Sequence, residues 1–187
     1  MSSAIEKGTA TLDDLYRVEG KAELIGGEIV HQMASGHRPN VVAGRIFRRL
    51  ADFVDDLGRG VAYTENMGFA VGELQSGRQS FSPDAAYYLG PLPTNDMRFV
   101  EGPPTFAVEV RSENDYGPAA DRAIAAKRID YFEAGTEMVW EVDSKDRCIH
   151  SYIAREPDRP RIFRLGQTAD AEPAVPGWRI AVDWIFA

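Results

Sequence analysis

The sequence predicts one α/β (α+β) domain in which helices cover a β-sheet. A chain of 187 residues is long enough to bury one hydrophobic core and short for two. Patterns typical of a strand, a helix and a second strand follow one another between residues 105 and 142, as in a βαβ crossover. Pairs of short β-rich runs around this unit indicate hairpins. We therefore expect a single domain over residues 1–187, with a short N-terminal helix and a C-terminal tail packed on it.

The N-terminal part is predicted to form a short helix and a hairpin. Residues 11–16 favour a helix because the Thr11 hydroxyl can accept a hydrogen bond from an amide of the first turn. Gly26-Gly27 lies between two short β-like runs, which is a hairpin pattern.

The middle of the chain is predicted to form a long helix and two strands. Apolar residues recur at helical spacing from about residue 39 to residue 57, and Gly58 follows as a stop. Residues 61–71 and 81–89 have the composition of strands, separated by a polar loop. Four prolines between residues 91 and 104 predict an irregular connection.

The remaining segments complete the predicted sheet. Residues 105–110 favour a strand, residues 119–134 a helix that ends at Gly135, and residues 137–142 and 148–153 two strands joined by a turn. The proline-containing tail from residue 157 onward is expected to wrap the sheet.

Composition argues against a membrane or exported protein. The sequence contains no apolar run near the roughly 20 residues that span a bilayer, and its first residues lack the apolar segment of a secretion signal. The single Cys148 excludes an internal disulfide and suits a reducing compartment. We therefore expect a cytoplasmic protein without a membrane partner.

The charge balance argues against a broad DNA-binding surface. There are 21 basic and 29 acidic residues, for a net charge of -8, whereas non-specific DNA binding needs cations that replace counterions. A DNA-binding protein with this composition must depend on a local site, where metal ions or a basic cluster such as Arg45, Arg48 and Arg49 supply positive charge.

Glu109 is unusual in the predicted strand of residues 105–110. Side-chain alternation places it on the opposite face from Phe106, Val108 and Val110, together with Ala107 and Arg111. A carboxylate in an apolar run is unfavourable unless a cation or a hydrogen-bond network meets it. A metal or basic partner is one interpretation. An open strand end, or a pair with Arg111, is the other.

Asp84 follows Pro83, which cannot donate to a β-ladder and so marks an edge, a bulge or a strand start. Such positions aim side chains at ligands. A Pro-Asp pair is nevertheless more often part of a turn than of a site.

Lys127 lies at the centre of an apolar helical stripe, whereas Arg128 is predicted to lie off that stripe. A lysine on the face that packs on a sheet is unfavourable unless its ammonium reaches carboxylates such as Asp84 and Glu109. The alternative is that the aliphatic stem packs while the ammonium reaches water. The stripe consists of Ala120, Ala123, Ile124, Tyr131 and Ala134.

Glu23 and His37 are weaker candidates. Glu23 lies in the predicted hairpin and could add a third carboxylate, although a solvated glutamate is commoner there. His37 could transfer protons or simply begin the long helix.

Several segments, in this order and spacing, resemble the Uma2 family of restriction endonucleases within the PD-(D/E)XK superfamily. They span residues 12–154, most of the chain. The segments are AELIGGEIV, His37, SPDAAYY, PPTFAVEVRSEND, then Lys127 with Tyr131 and Gly135, and EMVWEVDSKDRCIHSY.

The resemblance implies a restriction-endonuclease-like mixed sheet flanked by helices and a metal-dependent endonuclease that hydrolyses phosphodiester bonds in DNA. Asp84 and Glu109 would be ligands of Mg²⁺ or Mn²⁺, Lys127 would carry the role of the superfamily lysine, and Glu23 would be an accessory acid. Arg111 stands where that lysine usually lies, so the role of the basic residue would be divided between Lys127 and Arg111.

A second departure from the family pattern is Glu141, which interrupts a strand that is normally more apolar. Two rival functions remain open at this point. One is an inactive module that keeps the fold and binds nucleic acid or protein; the other is a glycoside hydrolase that uses Asp84 and Glu109 as its acid and base. A homodimer would suit cleavage of two strands.

Overall fold

The structure is a computed structural model that describes residues 8–187. Its main element is a six-stranded mixed sheet with the strand order β11-β10-β9-β8-β6-β3. The helices are α1 (Leu12–Leu15), α2 (His37–Leu57), α3 (Pro118–Ala134) and α4 (Val182–Phe186). The strands are β1 (Ala22–Ile25), β2 (Glu28–His31), β3 (Val61–Thr64), β4 (Phe69–Ala70), β5 (Ser80–Phe81), β6 (Ala85–Tyr88), β7 (Val100–Glu101), β8 (Phe106–Val110), β9 (Met138–Asp143), β10 (Cys148–Ile153), β11 (Glu156–Phe163), β12 (Thr168–Asp170) and β13 (Arg179–Ala181).

The centre of the sheet is the predicted βαβ crossover. Strands β8 and β9 pair in parallel and are connected through α3, which ends at Gly135 in the left-handed region. All other pairs of the six-stranded sheet are antiparallel. The register places Glu109 of β8 beside Glu141 of β9. The mixed sheet flanked by helices confirms the predicted fold class.

Different elements cover the two faces of the sheet. Helix α2 buries Ile46 and Leu50 on one face, in a core that also holds Trp140 and Trp178. On the other face, Tyr131 of α3 packs in a second core with residues of the small β5-β4-β7 sheet. Alternation along β8 assigns Phe106, Val108 and Val110 to the first core and Ala107 to the second, as predicted.

The N-terminal helix and hairpin form as the sequence indicates. The Thr11 hydroxyl accepts from the Asp14 amide at 3.3 Å, and the Asp14 carboxylate accepts from the Thr11 amide at 2.9 Å. Gly26 and Gly27 both have positive φ, which a two-residue turn between β1 and β2 requires. The hairpin docks on the main body where the Leu24 amide donates to Ser80 Oγ at 2.8 Å.

The two strands predicted over residues 61–71 and 81–89 are each broken in two. The first splits into β3 and β4 around Asn66, whose φ is positive. The second splits into β5 and β6 because Pro83 lacks an N–H, so the segment 82–84 leaves the ladder. Helix α2 begins at His37, slightly before the predicted start, because Pro39 fits the first turn of a helix.

Two further expectations were wrong. Part of the tail expected to wrap the sheet forms the edge strand β11, which pairs with β10. Along α3, Ala123 is exposed, whereas Arg128, predicted off the buried stripe, is buried at 8% exposure. The buried face of α3 is rotated from the predicted one because the sheet places Glu141 beneath the helix. The guanidinium of Arg128 forms an ion pair with this carboxylate, which the methyl group of Ala123 cannot do.

Residues 1–7, whose sequence argued against a secretion signal, lie outside the described residues. Within residues 8–187, no helix has both the length and the apolar character needed to cross a bilayer.

Candidate active site

The candidate site lies where β8 ends beneath α3. Glu109 is the second-last residue of β8, and its Oε1 accepts from the Tyr131 hydroxyl at 2.6 Å. The Lys127 ammonium lies 2.8 Å from the same oxygen. Because Lys127 and Tyr131 are one helical turn apart, α3 presents both to the same carboxylate. The Lys127 side chain is 17% exposed and ion-paired, which excludes the alternative that its ammonium escapes to water.

Glu23 completes a buried bridge through Lys127. Its Oε1 lies 3.0 Å from the Lys127 ammonium and accepts from the Ser82 amide at 2.9 Å. Its other oxygen accepts from Arg78. Burial alone would raise the Glu23 pKa, but the charges of Lys127 and Arg78 outweigh burial and lower that pKa to about 2. The two carboxylates in turn raise the Lys127 pKa against its own burial, so Lys127 is an ammonium at neutral pH.

Asp84 reaches the same end of β8 from the break after Pro83. Its Oδ2 accepts from the Val110 amide at 2.8 Å, directly beyond Glu109. Its Oδ1 accepts from the Lys21 ammonium at 2.7 Å. The cation beside Asp84 is thus Lys21 rather than Lys127. Burial raises the Glu109 pKa, Lys127 opposes this effect, and the nearby negative charge of Asp84 adds to it.

Lys21, Arg78 and Asp130 were missed by sequence reasoning. Lys21 lies in the segment before β1, and Arg78 in a polar loop, where charged residues are ordinary. Arg78 is buried between Glu23 and Asp130, donating to the latter at 2.8 Å. No periodic pattern distinguishes these residues, because their partners lie 52 to 63 positions away in the sequence.

His37 and Arg111 lie outside this cluster. His37 is the exposed first residue of α2, and its side chain makes no hydrogen bond or ion pair within residues 8–187. Its helix does begin near this end of the sheet, because Arg38 donates to the Ser144 carbonyl just after β9. Arg111 pairs with Asp121 at 2.9 Å and therefore does not neutralise Glu109.

The donor set suits a hard divalent cation. Asp84 and Glu109 supply carboxylate oxygens, and their side chains are 13% and 22% exposed. Burial and the charge of Asp84 raise the Glu109 pKa more than Lys127 lowers it, and an added cation would favour the ionised carboxylate. In the part of the chain that the structure describes, no three acidic, histidine or cysteine side chains converge as metal ligands. Mg²⁺ commonly takes one or two carboxylates and keeps several waters, so two carboxylates fit it.

Comparisons with known proteins show the family of this chain and its fold. Residues 10–183 match the model of the Uma2 family, described as "Putative restriction endonuclease". A crystal structure from Anabaena variabilis, described as "a putative nuclease belonging to DUF820", superposes with a TM-score of 0.74 at 15% identity, covering 94% of this chain and 97% of that chain. At this identity the superposition shows the fold alone. A search of curated proteins found no significant match. The resemblance noted in the sequence and the nuclease-like fold are confirmed.

Proposed function

The chain belongs to the Uma2 family, and from the cluster around Lys127 we propose that it is a metal-dependent endonuclease that hydrolyses phosphodiester bonds in DNA. The observation that carries the proposal is the Lys127 ammonium, held 2.8 Å from Glu109 and 3.0 Å from Glu23, at the end of β8 to which Asp84 is also bonded. Two carboxylates beside a buried lysine provide both the anionic and the cationic groups of phosphodiester hydrolysis.

Asp84 and Glu109 would hold Mg²⁺ or Mn²⁺. When bound, such an ion polarises the scissile phosphate and lowers the pKa of an attacking water. The Tyr131 hydroxyl orients Glu109, and the Val110 amide orients Asp84, so both carboxylates are fixed before any ligand enters.

Lys127 would act as a hydrogen-bond donor and a charge stabiliser rather than as a base. Its raised pKa keeps the ammonium protonated, so it has no lone pair with which to accept a proton. A protonated lysine can orient an attacking water and stabilise the negative charge that develops on the phosphate. Glu23 is a positioning residue in this scheme, because its carboxylate holds the ammonium in place.

The proposal extends to location and assembly. A nuclease that cuts DNA must share a compartment with it, and the buried, unpaired thiol of Cys148 suits a cytoplasmic location. A homodimer would place two sites on two strands, as closed symmetric assemblies allow. Sedimentation analysis with and without DNA measures the assembly directly.

The test is cleavage of supercoiled, linear and single-stranded circular DNA with Mg²⁺, Mn²⁺ or EDTA. We expect Asp84→Asn and Glu109→Gln each to lower the cleavage rate by about a hundredfold or more, since each removes the negative charge of a proposed metal ligand. Asp96→Asn, on an exposed loop, is the matched control and should cleave like the wild type.

Calorimetric titration with Mn²⁺ separates this proposal from an inactive module that keeps the fold. Metal binding that is lost in Asp84→Asn supports the nuclease. Equal nicking by the wild type and Asp84→Asn would remove the proposal. DNA binding without any metal binding would favour the module instead.

A further inference from the structure

A cavity of about 330 Å³ lies beside the Glu109–Lys127 pair, between α3 and strands β8, β9 and β10. The ion pair between Arg128 and Glu141 forms the wall between the two, since both residues line this cavity and also a small cleft at Glu109 and Lys127. Small-molecule sites range over about 300–1,000 Å³. The cavity is therefore large enough for a ligand and adjoins the proposed site of cleavage.

The floor of the cavity, formed by the sheet, contains a buried carboxylate at a position where an apolar side chain would be usual. Glu141 is 5% exposed, and its neighbours in β9, Trp140 and Val142, are buried apolar residues. Its partner across the antiparallel pair with β10 is His150. Directly opposed residues share a face, so these two side chains lie side by side beneath α3.

The His150 imidazole has no hydrogen-bond partner within the described chain. It is half-buried, lines the cavity, and forms no side-chain hydrogen bond or ion pair with residues 8–187, although the charges of Glu141 and Asp143 act on it. Burial lowers its pKa, so the imidazole is neutral at pH 7 and offers one donor and one acceptor. A half-buried polar group of this kind favours a ligand that can complete its hydrogen bonds.

The charges that line the cavity disfavour a phosphate. Arg111 and Arg128 contribute two positive charges, whereas Asp121, Glu141 and Asp143 contribute three negative ones. Both arginines are already paired, Arg111 with Asp121 and Arg128 with Glu141. A neutral ligand rich in N–H donors fits this lining better than an anion. Among nucleic-acid groups, these are the exocyclic amino groups of cytosine, adenine and guanine, whose N–H donors suit a carboxylate acceptor.

We propose that the cavity is a nucleobase pocket that accepts a base with an exocyclic amino group, as opposed to thymine, from a nucleotide next to the cleaved bond. This assignment rests on the proposed nuclease function for its biological meaning. Asp121, Ala125 and Arg128 of α3 line one side of the cavity. A base that enters between the helix and the sheet must leave the duplex stack or belong to a single strand. Arg128 already donates to Glu141 Oε1, and Tyr116 and the amides of residues 145 and 146 donate to Asp143 Oδ1. The second oxygens, Glu141 Oε2 and Asp143 Oδ2, would therefore accept from the amino group, and His150 would bond to the ring edge.

The test uses deoxycytidine, deoxyadenosine and thymidine as probes, titrated into the full chain and followed by NMR. We expect deoxycytidine and deoxyadenosine to bind roughly tenfold more tightly than thymidine, which lacks the amino group. Ala125→Phe fills the cavity from α3 and should weaken deoxycytidine binding by about tenfold or more. The matched control is Ala126→Phe, one residue along the same helix on its exposed face, which should bind like the wild type.

His150→Leu provides a second variant, which removes the hydrogen-bonding groups without filling the cavity, and His31→Leu on an exposed strand is its control. Equal binding of the three nucleosides, or unchanged binding by Ala125→Phe, would overturn the proposal. Nucleosides contain no phosphodiester and need no metal, so a failed nuclease assay leaves this result unaffected. Conversely, DNA cleavage without nucleoside binding would contradict the proposed nucleobase pocket and would still support the proposed nuclease function.

Discussion

At the scale of single residues, the site is a chain of buried charges in which each anion contacts a cation. Arg78 contacts Glu23 and Asp130, Lys127 contacts Glu23 and Glu109, and Lys21 contacts Asp84. Removing ions from water is unfavourable unless they are paired with good geometry, and a broken pair leaves an uncompensated charge. The folding stability and the chemistry of the site therefore depend on the same residues.

Glu23 should make the free energy of unfolding depend on acid pH. Its pKa falls from an ordinary 4.5 to about 2 in the folded chain, so its stabilising contribution is complete above 4.5 and disappears as the pH falls to about 2. The linked contribution is about 3 kcal/mol. Urea unfolding measured between pH 7 and pH 2 should show a shallower loss of stability in Glu23→Gln than in the wild type. Glu113→Gln, on an exposed loop, is the control, and identical pH profiles for Glu23→Gln and wild type would contradict the prediction.

Lys21 should compete with a metal ion for Asp84. Its ammonium lies 2.7 Å from Oδ1, so a cation that binds this oxygen must displace it. We expect Lys21→Met to bind Mn²⁺ about fivefold more tightly, as expected for loss of an ion pair worth about 1 kcal/mol. Calorimetric titration measures the change, with the exposed Lys145→Met as control. Weaker binding by Lys21→Met would show that the ammonium assists the metal instead of occupying its place.

At the scale of elements, α3 is the part that assembles the site. One helix carries Lys127 to Glu109 and the adjacent Arg128 to Glu141, on two neighbouring parallel strands. The strand break after Pro83 then brings Asp84 to the end of β8. Ion pairs therefore join α3 to the six-stranded sheet, and the Tyr131–Phe81 stack, whose ring centroids are 4.0 Å apart, packs it against the small β5-β4-β7 sheet.

The Arg128–Glu141 pair should respond differently to single and double replacement. Arg128→Leu alone leaves Glu141 buried without a cation and should lower the free energy of unfolding by about 3–5 kcal/mol. Arg128→Leu combined with Glu141→Leu should recover most of this loss, because two apolar side chains replace two buried ions. Urea unfolding of the single, double and control chains measures the effect, the control being the exposed Arg122→Leu. A single variant as stable as the control would show that the pair does not hold α3 on the sheet.

At the scale of the whole molecule, the net charge of -8 conflicts with binding of a polyanion. The basic cluster on α2 does not remove the conflict, since Arg45, Arg48 and Arg49 all lie over the Trp184 ring and Arg45 donates to C-terminal carbonyls. The start of α2, with His37 and Arg38, is better placed, because it lies near the end of the sheet where β9 ends.

DNA binding should therefore depend on divalent cations. In EDTA we expect weak binding, and with Ca²⁺, which takes carboxylate oxygens, at least about tenfold tighter binding. Fluorescence anisotropy of labelled DNA at fixed ionic strength measures both states. Asp84→Asn should lose the gain from Ca²⁺, whereas Asp96→Asn should keep it. Equal affinity for DNA in EDTA and in Ca²⁺ would show that lysine and arginine side chains bind the phosphates without help from a metal ion.

The sequence alone determined helices α1, α2 and α3, the hairpin, the βαβ unit and the unusual positions of Glu109 and Lys127, because periodicity and turn chemistry depend on residues close together in the chain. Helix α4, in the segment expected to be a tail, was not predicted. Tertiary structure decided which charges meet. It paired Asp84 with Lys21 across 63 positions, placed Arg78 between Glu23 and Asp130, and buried Arg128 against Glu141. The roles of these residues in catalysis stay predictions. The physical reason for the division is that a buried ion is stabilised by whichever opposite charge the fold brings near, and local sequence patterns do not specify that neighbour.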